Sequence, residues 1–146
     1  MRILLFITAS LILISCKVST KKETDQRPLL NDSWVLVSIN GKVINIDPEN
    51  DGLKTPSLEI SVTDMKYAGI DGCNQYMGSL TELDEEILKF GLSAGTRMMC
   101  MDMAIPDEFN KTLGLVFSYE IKDQTLSLLN DNGEELMQLK KEANPS

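Results

Sequence analysis

Four methionines surround one cysteine in the segment TRMMCMDM. Thioether and thiolate sulfurs are the ligands that Cu(I) prefers in proteins, so this cluster could bind that soft ion. If the segment were an extended strand, Met99, Met101 and Met103 would share one face. Met98 and Cys100 would then share the opposite face. Methionine also fills irregular gaps in apolar cores, and we favour this packing role. We therefore predict neither a metal site nor a cofactor.

The chain contains no histidine, and this absence excludes several kinds of catalytic site. Ser-His-Asp and Cys-His nucleophilic sites, imidazole zinc sites and histidine acid–base chemistry near neutral pH all require that residue. Consecutive carboxylates at Asp84, Glu85 and Glu86 could form an acid–base pair, but no neighbouring residues predict a pocket around them. We interpret them as a solvated hairpin turn, and we expect that the protein is not an enzyme.

The N-terminus begins MRILLFITASLILISC, with a positive charge at Arg2 and an apolar run over residues 3–14. This run is shorter than the roughly 20 residues that span a bilayer, and its length is typical of a signal-peptide core. The tetrapeptide that ends at Cys16 resembles the bacterial lipobox, whose cysteine is lipidated and becomes the new N-terminus. We therefore predict a lipoprotein signal peptide over residues 1–15 and lipid attachment at Cys16. An uncleaved anchor is the alternative.

Residues 16–32 are mostly polar and contain one proline. They predict a lipidated N-terminus followed by a flexible tether, with a root-mean-square reach of about 20–24 Å. Bacterial lipoproteins of this kind carry several acyl chains, which anchor a protein stably. Lys17 does not resemble the inner-membrane retention signal of enteric bacteria, so the outer membrane is the expected location.

Cys73 and Cys100 are the two thiols that remain once Cys16 is lipidated. An even pair of cysteines in an exported domain favours a disulfide. Such a bond would stabilise the fold by about 3.5 kcal/mol in the chain-entropy model. Two buried free thiols are the alternative.

The rest of the chain predicts short strands and one helix. Asn40-Gly41 between apolar runs is typical of a type I′ hairpin turn. A helix is expected after Pro106, with Phe109 and Leu113 four residues apart on one face. Seven or eight strands in this length predict a mainly β fold, a small antiparallel β-barrel with the helix covering an end. The predicted strands, taken from apolar–polar alternation and β-rich composition, are Ser33 to Ile39, Leu58 to Thr63, Lys66 to Ile70, Gln75 to Glu82, Ile87 to Leu92, Phe117 to Lys122, Thr125 to Leu129 and Glu134 to Lys140.

Several residues with a characteristic order and spacing are spread through this region: Trp34, Asn40-Gly41, Gly72-Cys73-Asn74, Tyr76, Thr96, Met98, Cys100 and Phe109. They resemble the META/HslJ-like family, and the predicted domain covers residues 33–141. The resemblance implies a small β-barrel that is often carried by lipoproteins. It implies structural roles for the motif residues and no established enzymatic activity. One family namesake is associated with heat shock and novobiocin resistance, which implies a role in envelope stress.

These observations predict a lipid-anchored bacterial envelope protein with a binding or structural role. Its expected partners are the membrane, through the lipid on Cys16, and an envelope protein or small ligand. The formal net charge of −8 argues against nucleic acid, whose phosphates attract Lys and Arg. Two alternatives stay open. One is a carrier of a small apolar ligand in the barrel mouth. The other is a Cu(I) or thiol-redox protein that uses the methionine and cysteine cluster.

Overall fold

The computed structural model describes residues 25–143, with the exception of residues 48, 50 and 51. The predicted signal peptide and Cys16 lie outside this part of the chain. The strands are β1 (Ser33–Ile39), β2 (Lys42–Val43), β3 (Ser57–Ser61), β4 (Lys66–Ile70), β5 (Gln75–Leu83), β6 (Leu88–Phe90), β7 (Ala94–Gly95), β8 (Ser118–Lys122), β9 (Thr125–Leu129) and β10 (Glu135–Lys141). The helices are α1 (Arg27–Leu30) and α2 (Ala104–Leu113).

Eight of these strands form one antiparallel path in the order β6-β5-β4-β3-β1-β10-β9-β8. The short strands β2 and β7 pair with β1 and β5, outside this path. The first strand therefore lies between β3 and the last strand, with Trp34 opposite Lys141. β1 and β10, the first and last of these strands along the chain, are therefore neighbours in the sheet.

The two ends of the path also approach each other, through β6 and β8. The Leu88 N–H donates a hydrogen bond to the Phe117 carbonyl oxygen at 3.1 Å, and the Tyr119 N–H donates to the Glu86 carbonyl oxygen at 3.3 Å. The sheet is therefore a nearly closed antiparallel barrel, which removes exposed strand edges. The predicted fold class, a small mainly β barrel, is confirmed.

Apolar side chains from alternating strand positions fill the interior of the barrel. In β9, Leu126 and Leu128 face inward and are fully buried, whereas Ser127 between them is partly exposed. A barrel of eight strands has an interior just wide enough for side chains, so this interior is a core and not a channel. The largest fully buried side chains include Trp34, Phe109, Leu30, Ile39, Leu58, Ile60, Leu88, Leu126, Leu128 and Leu139.

Helix α2 covers the end of the barrel at which β1 finishes, and we call this the α2 end. Phe109 and Leu113 are buried on the inner face of the helix. The ring of Phe109 packs with its centroid 5.6 Å from that of Tyr76. Asn40, in the turn after β1, donates from Nδ2 to Glu108 Oε1 at 3.0 Å. The prediction that the helix covers one end is therefore confirmed.

Helix α1 lies at the opposite end, where β1 begins, and we call this the α1 end. Leu30 is fully buried, and its carbonyl oxygen accepts a hydrogen bond from Trp34 Nε1 at 3.1 Å. The side-chain amide of Gln26 donates to the Ile121 carbonyl oxygen and accepts from the Ile121 N–H, both at 2.9 Å. Helical segments therefore cover both ends of the barrel.

The contacts of α1 differ from the prediction of a flexible tether over residues 16–32. Residues 25–32 pack on the barrel, and Asp32 forms an ion pair with Lys141. The apolar run Pro28-Leu29-Leu30 is too short to show a helical or strand period, so its burial could not be read from the pattern. The folded part of the chain begins before the predicted boundary at residue 33.

Leu29 and Leu30 offer a matched test of this packing. Leu30→Ala should lower the free energy of unfolding by about 2–5 kcal/mol, because the change loses buried apolar surface and leaves a cavity. Leu29 is 54% exposed, so Leu29→Ala should change stability by less than about 0.5 kcal/mol. Urea denaturation measures both values. Equal effects of the two substitutions would mean that α1 is not part of the core.

Candidate functional site

Most of the predicted motif residues lie at the α2 end of the barrel, on two segments. One is the turn between β4 and β5, which we call the DGCN turn (residues 71–74). The other is the segment between β7 and α2, which we call the methionine loop (residues 96–103). Trp34 and Phe109 lie instead in the core. The residues that the structure brings together in the site are Gly72, Cys73, Asn74, Thr96, Met98 and Cys100.

Asp71 organises the DGCN turn, and the sequence analysis missed it. Its Oδ1 accepts hydrogen bonds from the N–H groups of Cys73 at 2.9 Å and Asn74 at 2.6 Å. Its Oδ2 accepts from Asn110 Nδ2 of helix α2 at 2.7 Å. Aspartate at the start of a turn commonly bonds the backbone two residues on, so the Asp-Gly pair was the available signal. Gly72 has a φ of 116°, a conformation that glycine adopts without steric cost.

Asn74 connects the DGCN turn to the methionine loop. Its Oδ1 accepts hydrogen bonds from the Met98 N–H at 2.6 Å and from Thr96 Oγ1 at 2.9 Å. Its Nδ2 donates to the Met98 carbonyl oxygen at 3.2 Å. Asn74 is buried, so each of these bonds replaces water that the amide has lost. Met98 contributes to this contact through its backbone and not through its side chain.

A disulfide also joins the two segments. Cys73 is bonded to Cys100, with their Cα atoms 6.0 Å apart. This is the predicted pair, and the free-thiol alternative does not apply to the structure. Both sulfurs are oxidised in this state, so neither supplies a thiolate nucleophile or ligand.

The interpretation of the methionines as core residues is wrong. Met98 is 58% exposed, Met99 is 89% exposed and Met101 is 100% exposed, while Met103 is half-buried. The methionine loop is irregular and not a strand, so the predicted sharing of faces does not hold. The hydrogen bonds of Asn74 and the disulfide hold the loop backbone against the turn, and the side chains of Met98, Met99 and Met101 are exposed.

Two open recesses flank the DGCN turn. The first has a volume of about 340 Å³ and is lined partly by the disulfide and Met98. The second, of about 430 Å³, is lined mostly by polar groups and by Tyr76. Burial raises the pKa of Tyr76 far above its usual range, and its hydroxyl donates to the Ser57 carbonyl oxygen at 2.7 Å. Tyr76 therefore stays protonated near neutral pH and has a structural role.

The carboxylates at residues 84–86 lie far from this site, in the turn between β5 and β6 at the α1 end. They are exposed, as expected for a solvated hairpin turn. Near them, burial raises the pKa of Tyr119 to about 12. In the part of the chain that the structure describes, no group of three or more histidine, cysteine or acidic residues could hold a metal ion. No helix among the same residues is long and apolar enough to cross a membrane.

Removing the disulfide tests its contribution to stability. The bond closes a loop between two cysteines that are 27 residues apart in the sequence. The combined substitution Cys73→Ser and Cys100→Ser should lower the free energy of unfolding by about 3.5 kcal/mol, because the unfolded chain regains loop entropy. A reductant should lower the stability of the unsubstituted protein by a similar amount and leave the double variant unchanged. Urea denaturation with and without reductant measures this, and no response of the unsubstituted protein to the reductant would contradict the bond.

Asn74→Ala tests the hydrogen bonds between the two segments. It should lower the free energy of unfolding by about 1–3 kcal/mol, because the three hydrogen bonds that the buried amide makes with Thr96 and Met98 are lost. The neighbouring Gln75 is exposed, so Gln75→Ala should cost less than about 0.5 kcal/mol. Denaturation of the two variants under oxidising conditions separates this effect from that of the disulfide. A neutral Asn74→Ala variant would contradict the role assigned to the amide.

Comparisons with known proteins agree with this fold. A similar solved structure is the NMR structure of a protein from Burkholderia xenovorans, with 27% identity, 82% of this chain and 88% of that chain covered, and a TM-score of 0.60. A crystal structure of a DUF4847 family protein from Bacteroides vulgatus is 14% identical, with 81% of this chain and 99% of that chain covered. Its TM-score of 0.54 shows a shared fold alone. No curated protein matches the sequence.

The family model described as the META domain matches residues 27–143. This range includes helix α1, every strand and the candidate site. The match spans most of the chain and begins within the segment that the structure places on the barrel. The chain therefore belongs to the META domain family.

Proposed function

We propose that this protein is a lipid-anchored component of the bacterial envelope whose META domain has a binding or structural role in the stress response of that compartment. The observation that carries the proposal is the filled barrel, closed at both ends, whose motif residues hold one surface in place. Such a domain acts through its outer surface and not through its interior. The link to stress rests on the family resemblance and not on a site in the barrel.

The position of α1 supports an anchor on the N-terminal side. The chain enters the barrel at the α1 end, whereas the DGCN turn and the methionine loop lie at the α2 end. Seven residues of β1 separate the two ends, which corresponds to about 23 Å of strand. A lipid on Cys16 would therefore be connected to the domain through the α1 end, which is opposite the candidate site.

The disulfide supports a location outside the cytoplasm. Bonds between cysteines persist in oxidising compartments and are rare where cellular reductants keep thiols reduced. Cys73 and Cys100 hold the exposed methionine loop against the DGCN turn, so the structure of the site depends on that environment. Export through a signal peptide and a structural disulfide are consistent with each other.

The chemistry of the site favours a non-enzymatic role. Asp71 accepts three hydrogen bonds, and the Tyr76 hydroxyl donates a hydrogen bond to a backbone oxygen. Each group is engaged in structural hydrogen bonds, so neither is placed as a general acid or base. Cys73 and Cys100 are bonded to each other.

The carrier alternative loses its main support, which was a free volume in the barrel mouth. Trp34 and Phe109 are fully buried in the interior, and α2 lies over the mouth. A ligand of ordinary size needs about 300 Å³ or more of pocket volume. The recesses of that size described above are open grooves on the surface, so we do not propose an internal carrier.

Cys16→Ser tests the lipid anchor. Without the acylated sulfur, the protein should move from the membrane fraction to the soluble fraction, because lipid chains supply most of the membrane affinity. The matched control is the Cys73→Ser and Cys100→Ser variant, which should stay in the membrane fraction. Cell fractionation with immunoblotting measures both, and density-gradient separation tests the outer membrane. Unchanged membrane association of Cys16→Ser would refute the lipoprotein proposal.

A further inference from the structure

The methionine loop exposes more apolar side chain than packing or solubility explains. Met98, Met99 and Met101 expose 58%, 89% and 100% of their surface within four consecutive residues. Single exposed apolar residues are common, but a contiguous exposed group indicates an interaction site. These side chains do not fill the core, and besides their apolar surface they share a thioether sulfur.

We propose that the methionine loop binds Cu(I) through the thioether sulfurs of Met98, Met99 and Met101. Thioethers are soft ligands and favour this ion over hard cations. The Cα atoms of Met98 and Met101 are three residues apart, so they lie within about 11 Å of each other. Each methionine side chain has three rotatable bonds, which allows the three sulfurs to converge on one ion.

The backbone of the loop is held in place while its side chains remain free. The Thr96 N–H donates to the Gln75 carbonyl oxygen at 3.0 Å. Met98 is held at both its N–H and its carbonyl oxygen by Asn74, and Cys100 is held by the disulfide. Binding therefore orders mainly side-chain torsions and not the chain itself, which lowers the entropic cost of binding.

The donor set selects the kind of metal. The chain has no histidine, and the bonded sulfur of Cys100 is not a thiolate, so the usual zinc ligands are missing from the loop. Asp102, the carboxylate inside the loop, accepts a hydrogen bond from the Ala104 N–H at 2.8 Å. Hard cations such as Ca²⁺ need several oxygen ligands, whereas this loop offers mainly sulfur. The neighbouring Arg97 also disfavours a highly charged cation.

Competition with a Cu(I)-specific chelator tests the proposal. The full chain carries Cys16→Ser so that no free thiol competes, and Cu(I) is added anaerobically. The protein should withhold one equivalent of Cu(I) from the chelator. Combined Met99→Leu and Met101→Leu substitution should weaken this binding by about tenfold or more, because two of three soft ligands are lost. Both side chains are exposed, so a matching urea midpoint verifies that the variant is folded.

Two methionines elsewhere on the surface provide the matched control. Met65 is 37% exposed and Met77 is 65% exposed, so Met65→Leu with Met77→Leu removes the same number of accessible thioethers outside the loop. This control should keep the unsubstituted affinity. Equal weakening in the control pair, or no protection of Cu(I) by the unsubstituted loop, would overturn the proposal.

The pH dependence of binding separates thioether ligands from other ligands. Cysteine, histidine and carboxylate ligands must lose a proton before they bind a metal, so their affinity falls with acidification. A thioether sulfur carries no proton, and the affinity should stay constant between about pH 5.5 and pH 7.5. An affinity that falls tenfold or more over that range would show that other ligands hold the ion and would also overturn the proposal. The anchor at Cys16 plays no part in this test, so its outcome is independent of the proposed localisation.

Discussion

The need to cover two open barrel ends determines much of this structure. A sheet that closes on itself pairs its strand edges, but it leaves apolar side chains exposed at each mouth. Phe109 of helix α2 supplies the cover at one mouth, and Leu30 of helix α1 supplies it at the other; both are fully buried. Because each cover comes from a segment that lies outside the barrel strands, the position of those segments is set by burial and not by strand pairing. The folded domain therefore extends beyond its first strand.

Rigid backbone and free side chains at the α2 end have one common cause. Asp71 and Asn74 are buried polar residues, and burial of such groups is costly unless their hydrogen bonds are satisfied. Their partners are mostly backbone groups of the DGCN turn and the methionine loop. Among the described residues, no buried side-chain nitrogen or oxygen lacks a partner. Satisfying these two side chains fixes the loop backbone against the turn and leaves the side chains of Met98, Met99 and Met101 outside the core.

Patterns among neighbouring residues predicted the elements whose conformation those neighbouring residues determine. Asn40 and Gly41 have positive φ values of 48° and 76°, as the hairpin pattern indicates. The barrel and its covering helix follow from periods of two and about four residues in the chain. The sequence failed where the deciding contacts join distant segments. Leu30 is buried by strands that follow it, and Met99 is exposed because a distant asparagine and a disulfide hold its loop outside the core. Asp71 belongs to the same class, since its third hydrogen bond comes from a helix far along the chain.

The place of β1 between β3 and β10 has a consequence for the order of folding. β1 is the first of the described strands to be synthesised, yet one of its neighbours in the eight-stranded path is β10, the last of them. Pairing across such a separation carries the loop-closure entropy of nearly the whole domain and is typical of slow folding. The barrel therefore completes only after β10 is available for pairing, and until then β1 presents an unpaired edge. A chain in this interval is the species that a chaperone would have to protect from edge-to-edge association.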